Sequence, residues 1–269
     1  MTHMIYVVPS LKAKEKLQCE GKAWAESQGF AYVPRGKRTI QDLMDEYGED
    51  FLVYSSRGPQ IDRPEGSHFF SLNMAELRIQ NLRKGQRDHL LEALMGKGSS
   101  QPPISVLDCT CGFGADAAVA SFGLPAGSRV DALEVSPLLE AVTAWGFSHF
   151  VHKKDDVTAA LRRISLRCGD YRDYLLSDEG PVYDVLYFDP MFQRPVEASC
   201  QFQPVRAIME HGGLTRDLIE RALQKARRRV VIKERDFRQL CRDFPDVTLY
   251  GGKYSRIGYA VLECDSWKK

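Results

Sequence analysis

Apolar and polar residues alternate in two different ways along the 269-residue chain. Beyond residue 104, short apolar runs typical of buried strands are separated by stretches whose apolar residues recur every three or four positions, as in amphipathic helices. The strand-like runs are ISVLDCT, RVDALEV, ISLRCG, YDVLYFD and RRVVIKE. Strands that alternate with helices predict a parallel sheet covered by helices. We therefore expect an α/β fold with a Rossmann-like, doubly wound, mostly parallel sheet over residues 104–269.

The end of the chain has a different pattern. Two strand-like runs flank Gly251 and Gly252 in the stretch VTLYGGKYSRIGYAVLE. Two adjacent glycines between such runs favour a tight reversal of the chain. We expect the sheet to close with a C-terminal antiparallel hairpin.

The first part of the chain predicts a small α/β subdomain over residues 1–72. The strands expected there are MIYVV, DFLVYSS and SHFFSL, and the helices are AKEKLQCEGKAWAESQG and RTIQDLMDEYG. The turn-rich stretch RGPQIDRPEGS between the last two strands indicates a hairpin arm. A helical stretch, MAELRIQNLRKGQRDHLLEALMG, and the linker-like KGSSQPP then predict a bridge and linker over residues 73–103.

Composition excludes several classes of protein. Lys and Arg number 37 and Asp and Glu 36, so a polyanionic partner must be held by local patches of charge. Seven cysteines without CxxC pairs predict reduced thiols, and the histidines lack metal-ligand spacing, so we expect no metal site.

No signal peptide and no apolar run near 18 residues is visible in the sequence. We expect a soluble, cytoplasmic protein.

Two glycines follow the first strand of the predicted Rossmann-like core. In VLDCTCGFGADAA, Asp108 ends the strand, and Gly112 and Gly114 come directly before a helix. Glycines at this position let a ligand approach the backbone. The letters also fit the dinucleotide pattern GxGxxA, with Ala117 as its last residue and Glu134 about twenty residues on. An NAD-dependent oxidoreductase is therefore one alternative.

Acidic residues end four successive strands of the predicted sheet. In a doubly wound sheet, ligands bind outside the carboxyl ends of the strands. Acids there would repel a pyrophosphate and favour a cationic ligand that is rich in hydroxyl and amine groups. S-adenosylmethionine has a ribose, an adenine amine, an ammonium and a sulfonium group. The four acids are Asp108, Glu134, Asp170 and Asp189.

Several of these motifs resemble those of a known family. The chain is similar to class I S-adenosylmethionine-dependent methyltransferases, and within them to the RsmJ type, which methylates guanine N2 in small-subunit ribosomal RNA. The resemblance covers roughly Met74 to Leu262. The segments that carry it are LDCTCGFGADAAVAS, ALEVSPLLEAV, YFDPMFQRP and RRVVIKERDF.

This resemblance implies a cofactor, a partner and a set of contacts. The cofactor is S-adenosyl-L-methionine, and the expected partner is ribosomal RNA or the small ribosomal subunit. The residues that it implies as cofactor contacts are Ala115, Asp116, Glu134, Val135, Gly169, Asp170 and Asp189. This chain has Ala115 and Val135 where the family has arginines, and Gly169 and Asp170 where it has serines.

The segment DPMF after the fourth strand resembles the (Asp/Asn)-Pro-Pro-(Tyr/Phe) motif of amino-methyltransferases. An aromatic amine is a poor nucleophile because its lone pair is shared with the ring. If the Asp189 carboxylate and the Pro190 carbonyl each accept one N–H, the lone pair can face the methyl group. Phe192 would stack on the base. Asp189, Pro190 and Phe192 are thus the predicted catalytic residues.

Alternatives to a ribosomal RNA substrate stay open at this point. The same motif would serve methylation of a small molecule or a protein, and a non-catalytic nucleotide-binding module would need the acids only for its structure. Basic residues are either solvated or contact phosphates beside the pocket. They cluster in VPRGKR, FVHKKDD and RALQKARRRVVIKERDFRQLCR.

Overall fold

A computed structural model describes residues 4–96, 102–190, 213–251 and 257–266. Among these residues, 4–71 and 136–150 form one compact unit, and the others form a second, larger unit. Within the described ranges no helix is both long and apolar enough to cross a membrane.

The smaller unit contains a five-stranded sheet. Strand β1 lies between β2 and β3 and is parallel to both, and β4 and β5 extend the sheet antiparallel from β3. The strands are β1 (Tyr6–Pro9), β2 (Ala31–Tyr32), β3 (Phe51–Ser55), β4 (Gly58–Arg63) and β5 (Gly66–Phe69), and the helices between them are α1 (Glu15–Ser27) and α2 (Ile40–Tyr47).

Strand β4 corrects the expectation for RGPQIDRPEGS, because it lies where the composition indicated a turn-rich arm. All six of its residues are buried. Its polar side chains find partners inside the unit: Gln60 Nε2 donates to Asp62 Oδ1 at 2.8 Å, and the Arg63 guanidinium lies 4.9 Å from the ring centroid of Phe51. Pairing of these groups makes their burial tolerable.

The larger unit has the predicted alternation of strands and helices. Its elements, in chain order, are α3 (Asn73–Arg83), α4 (His89–Met95), β6 (Ser105–Asp108), α5 (Ala115–Gly123), β7 (Arg129–Glu134), α7 (Asp155–Arg162), β8 (Ile164–Cys168), α8 (Tyr171–Leu176), β9 (Val185–Phe188), α9 (Arg216–Lys225), β10 (Arg229–Glu234), α10 (Arg238–Asp243), β11 (Thr248–Gly251) and β12 (Gly258–Glu263). A short 3-10 turn follows at Cys264–Ser266.

The sheet of the larger unit has the strand order β11-β12-β10-β9-β6-β7-β8. The five strands from β10 to β8 are parallel, and β12 pairs antiparallel with both β10 and β11. This confirms the Rossmann-like sheet and its C-terminal antiparallel hairpin. The strand order reverses between β6 and β9, so the carboxyl ends of these two strands flank the crevice where such sheets bind ligands.

An apolar core fixes the position of these strand ends. Leu107 of β6, Leu186 and Phe188 of β9, and Val230 of β10 belong to one buried cluster, to which α9 contributes Leu223. Each apolar strand is thus anchored from inside the unit.

The predicted helical bridge is two helices rather than one. Gly85 has a φ of +77°, which ends α3, and Asp88 caps α4 by accepting a hydrogen bond from the backbone N–H of Leu90 at 3.0 Å. Residues 97–101 of the predicted linker lie outside the described residues. The division of the chain at residues 72 and 103 stays a prediction.

The helix α6 (Pro137–His149) lies in the chain between β7 and α7 but belongs to the smaller unit. It begins as the sequence indicates, because Ser136 Oγ accepts the N–H of Leu139 at 3.4 Å and Pro137 occupies the first turn. Gly146 leaves the room that the Phe70 ring occupies, and that ring also packs edge-on against Phe147.

Candidate active site

The carboxyl ends of β6, β7 and β9 bring together most of the residues predicted to bind a ligand. Asp108 lies opposite Ala132 in β7 and Tyr187 in β9, so the residues that follow these strands are neighbours. The backbone N–H of Asp189 donates to Thr110 Oγ1 at 2.6 Å, which joins the two loops on either side of the crevice. All the residues of this site belong to the larger unit.

A glycine turn joins β6 to α5. Gly112 has a φ of +54° and Gly114 a φ of +74°, which are conformations that other residues rarely adopt. The N–H of Gly114 donates to the carbonyl of Cys111 at 2.9 Å, and Gly114 is the N-cap of α5. Ala115 therefore begins the helix at its electropositive end, beside the crevice.

Glu134, at the end of β7, is buried and holds this turn. Its Oε2 accepts the N–H of Gly112 at 2.9 Å, and its backbone carbonyl accepts the N–H of Gly169 at 2.9 Å. Val135 follows and is half-buried. One residue thus links the ends of β6, β7 and β8.

Asp108 is only 2% exposed, and its Oδ1 accepts the N–H of Thr110 at 3.1 Å. Burial first, and then the charges of Asp116 and Asp189, raise the pKa of this carboxyl well above its usual value. Asp108 therefore favours the neutral form and shapes the loop after β6. Its predicted contact with the cofactor stays a prediction.

Asp170 is the N-cap of α8. Its Oδ1 accepts the N–H of Arg172 at 2.8 Å, and the Arg172 guanidinium lies 2.6 Å from Oδ2. Burial opposes ionisation, but the hydrogen bonds from Arg172 outweigh it and lower the pKa of Asp170. The carboxylate has this local structural role, and the cofactor contacts implied for Gly169 and Asp170 stay predictions.

Asp116, in the first turn of α5, is surrounded by three donors. Its Oδ2 accepts from the Tyr187 hydroxyl at 2.7 Å and from Lys233 Nζ at 2.8 Å, and its Oδ1 accepts from the Arg78 guanidinium. Lys233 Nζ also donates to Asp189 Oδ2 at 2.7 Å. The ammonium of Lys233 therefore bridges the helix after the glycine turn and the predicted catalytic carboxylate.

This bridge is part of a longer chain of alternating charges. Arg78 forms a bidentate pair with Asp88, with both N···O distances at 2.8 Å. The order of the chain is Asp88, Arg78, Asp116, Lys233, Asp189. Paired and hydrogen-bonded in this way, buried charges are held in fixed positions.

The pKa values of the two acids that share Lys233 are shifted in opposite directions. Burial would raise the pKa of Asp116, but Lys233 and Arg78 outweigh it and hold that pKa below its usual range. Among the described residues Lys233 is the one cationic partner of Asp189, and burial together with the charge of Asp116 raises the pKa of Asp189 to about 6 despite Lys233. Asp116 has two cationic partners and Asp189 has one among the described residues, and this difference gives the two carboxyls different pKa values.

The predicted catalytic segment is described only in part. The Asp189 side chain is 29% exposed, and Pro190 is half-buried. Phe192 lies outside the described residues. Among the residues that the structure describes, Asp189 Oδ1 has no hydrogen-bond donor, so this oxygen is the acceptor that the site offers to a ligand.

Sequence reasoning missed four residues of the site. Lys233 belonged to a stretch of basic residues expected to be solvated or to contact phosphate, and Thr110, Arg78 and Tyr187 were not singled out. One signal was present: Lys233 directly follows the apolar run VVI of a predicted core strand, where a lysine needs a partner. The identity of that partner depends on the order of the strands.

The comparisons with known proteins concern the family of the chain and its fold. A family model described as "Putative SAM-dependent methyltransferase" matches residues 67–257. The uncharacterized protein YpiP of Bacillus subtilis is 28% identical over 230 residues, which cover 85% of this chain and 88% of YpiP.

Two further relatives have the printed name ribosomal RNA small subunit methyltransferase J. The Marinobacter nauticus protein is 28% identical over 71% of this chain and 66% of its own length. The Thioalkalivibrio sulfidiphilus protein is 32% identical over 58% of this chain and 61% of its own length. The matches thus span slightly less than two thirds of these two relatives.

A solved structure shares the fold. The SAM-dependent methyltransferase NGO1261 from Neisseria gonorrhoeae superposes with a TM-score of 0.61 and covers 96% of this chain and 95% of its own. The sequence identity is 18%, so the likeness concerns the fold.

Proposed function

The chain belongs to the SAM-dependent methyltransferase family, and we propose that it transfers the methyl group to an exocyclic amine, namely guanine N2 in small-subunit ribosomal RNA. The family membership makes the protein a class I methyltransferase with S-adenosylmethionine as its cofactor. It replaces the NAD-dependent alternative that the glycine pattern left open.

The described residues fit this cofactor. At the ends of β6, β7 and β9, with the start of α5, the acids Asp116, Glu134 and Asp189 outnumber the cations, which suits a ligand with ammonium and sulfonium groups. Glu134 lies beside the glycine turn, where its carboxylate can accept from ribose hydroxyls. When bound, S-adenosylmethionine supplies the electrophilic methyl group.

The observation that carries the choice of an amine substrate is the placement of Asp189. Its backbone is held by Thr110 and its Oδ2 by Lys233, while Oδ1 has no donor among the described residues. With the carbonyl of Pro190, the segment offers two acceptors, which match the two N–H groups of an NH₂ donor. The carboxylate and carbonyl would orient the nitrogen lone pair without removing a proton first.

The relatives named ribosomal RNA small subunit methyltransferase J support a ribosomal RNA substrate, and the choice of guanine N2 rests on the resemblance of the sequence motifs to the RsmJ type. Adenine N6 and cytosine N4 are also NH₂ groups, so acceptor geometry alone does not select the base. Guanine N2 lies in the minor groove of a duplex, and a site at the strand ends therefore needs an unpaired or extruded base.

Nucleoside mass spectrometry of ribosomal RNA tests the proposal. A strain without this protein should lack one N2-methylguanosine in its small-subunit RNA, and the purified protein should restore it better at low salt than at high salt. Recovery of N6-methyladenosine would keep the amine mechanism and discard guanine. Methylation confined to a small molecule or a protein would discard the RNA substrate.

A further inference from the structure

We propose that Lys233 is a positioning residue of the methyl transfer: its ammonium fixes the Asp189 carboxylate and keeps it ionised, so that Oδ1 can accept an N–H of the substrate amine. The inference rests on the proposed role of Asp189 as amine acceptor. It assigns a task to the residue that connects the cofactor side of the site with the substrate side.

The sheet register places Lys233 beside Asp189. Strand β10 runs parallel to β9 with Ile232 opposite Phe188, so the next residue of each strand is a neighbour of the other. On its other side, Lys233 lies opposite Tyr259 of β12. The Lys233 side chain is 14% exposed, and its Nζ is 2.7 Å from Asp189 Oδ2. A rigid strand in the core of the sheet, rather than a loop, therefore carries the ammonium.

The hydrogen bonds fix Asp189 at two points. Thr110 Oγ1 accepts from its backbone N–H, and Lys233 donates to Oδ2. The two contacts restrict the backbone of Asp189 and the rotation of its carboxylate. Among the described residues no donor reaches Oδ1, which can therefore accept from a substrate in one orientation.

Lys233 itself is fixed by Asp116. The Asp116 carboxylate accepts from Lys233 Nζ at 2.8 Å and from the Tyr187 hydroxyl at 2.7 Å, while Arg78 pairs with its other oxygen. Arg78 is in turn held by Asp88. The ammonium therefore cannot move away from Asp189 without leaving the buried Asp116 with one cation fewer.

The electrostatic surroundings of Asp189 make this ammonium necessary. Among the residues that the structure describes, the ionisable groups around Asp189 and Lys233 are Asp108 of β6, Asp116 of α5, Tyr187 of β9, Lys233 and Glu234 of β10, and Tyr259 of β12. Lys233 is the one cation in this set, and the negative charges of Asp116 and Glu234 disfavour a charge on Asp189. Without Lys233, the Asp189 carboxyl would be protonated at neutral pH, and a protonated carboxyl presents a donor where the amine needs an acceptor.

The pH dependence of turnover at saturating cofactor is the first test. Lys233→Met should move the acid limb of the kcat profile upward by about 1 to 3 pH units, the effect of removing an opposite charge within 4 to 6 Å. Lys233→Arg is the matched control, because it retains the charge and should keep the limb within about half a unit. A loss of activity with an unmoved limb in Lys233→Met would indicate a merely structural role and overturn the proposal.

The titration of Asp189 in the protein without substrate is the second test. Carbon-13 labelled aspartate gives the side-chain carboxyl resonances, and Asp189→Asn identifies the one that belongs to Asp189. This resonance should titrate at higher pH in Lys233→Met than in the wild type. Unchanged titration overturns the inference whether or not RNA is methylated, whereas a shifted titration in a protein that methylates no RNA contradicts the proposed function alone.

If Lys233→Met fails to fold, a second variant with the opposite expected effect on the pKa of Asp189 tests the same inference. Asp116→Asn removes the acid that competes for the ammonium, so the Asp189 resonance should titrate at lower pH than in the wild type. A circular dichroism spectrum of each variant confirms that it is folded. An upward or absent shift in folded Asp116→Asn would contradict the shared-ammonium geometry.

Discussion

The backbone N–H of Gly112 and the Oε2 of Glu134 are 2.9 Å apart, and their hydrogen bond joins the loop after β6 to the end of β7. The carboxylate that is predicted to bind ribose is therefore already directed toward the glycine turn. A side chain held in place before the ligand binds loses little freedom on binding, which favours affinity.

Replacement of Glu134 should weaken the binding of the cofactor. Glu134→Ala removes a charge-assisted acceptor, and we expect S-adenosylmethionine to bind more weakly by about 1.5 to 3 kcal/mol. Calorimetric titration with S-adenosylmethionine measures the change. The exposed Glu179, changed to Ala in the same way, should bind as the wild type does. Equal affinity in both variants would remove Glu134 from the cofactor site.

The two glycines of the turn should be sensitive to alanine for a conformational reason. At Gly112 no atom crowds an added Cβ, the nearest being Thr110 O at 4.0 Å, so the positive φ alone accounts for the cost. We expect Gly112→Ala and Gly114→Ala each to lose about 1 to 2 kcal/mol of unfolding free energy.

Gly169→Ala is the control for stability, because Gly169 does not have a positive φ and an added Cβ would make ordinary contact with Leu133 at 3.6 Å. Denaturant unfolding of the three variants measures the difference. Equal losses at all three positions would show that the backbone conformation of the turn is not what requires glycine.

Asp189 should matter more to turnover than to cofactor affinity, because its proposed task arises as the methyl group moves. We expect Asp189→Ala to lower kcat by about 100-fold or more and to bind cofactor within about tenfold of the wild type. Single-turnover kinetics and calorimetry separate the two quantities. The exposed Asp178, changed to Ala, serves as the control. Near-normal turnover of Asp189→Ala would reject the amine-acceptor role.

The wild-type pH profile should show the raised pKa of Asp189. Its ionised form is the acceptor, and burial raises its pKa to about 6, so turnover should fall as the pH drops through about 6. Below that point kcat/KM for the RNA should decrease about tenfold for each pH unit, because kcat/KM reports the pKa of the enzyme before the RNA binds. Values of kcat/KM measured between pH 5 and 8 would show this limb, and a constant kcat/KM down to pH 5 would mean that Asp189 has an ordinary carboxyl pKa.

The sheet of the larger unit was predictable because its strands are short apolar runs, whereas apolar residues recur every three or four positions in its helices. The general rule that ligands bind at the carboxyl ends of the strands then predicts that Asp108, Glu134 and Asp189 line one crevice. These features depend on local patterns and on the general rule for doubly wound sheets.

Strand β4 was not predictable in the same way. Its residues include Gly58, Pro59, Gln60 and Asp62, which favour turns or exposure when considered one by one. Burial is tolerated because Gln60 and Asp62 bind each other, a pairing that only the folded sheet reveals. Likewise, the break between α3 and α4 had local signals in Gly85 and Asp88 that the longer helical pattern obscured.

The chain of charges could not be found from spacing at all. Arg78 and Asp116 are separated by 38 positions, and Asp116 and Lys233 by 117. Each is an ordinary charged residue within its own segment. Only the strand order and the register between β9 and β10 bring them together, so sequence reasoning identified the acids of the site and missed the cations that set their charge.

The path of α6 has a consequence for how such a protein can change over evolutionary time. Because the helix lies between β7 and α7 in the chain yet packs with the sheet of residues 4–71, no single cut separates the two units. A gene fragment that begins at residue 72 would still encode α6 but not Phe70, whose ring fills the space beside Gly146. A single crossover therefore cannot exchange the smaller unit as one block.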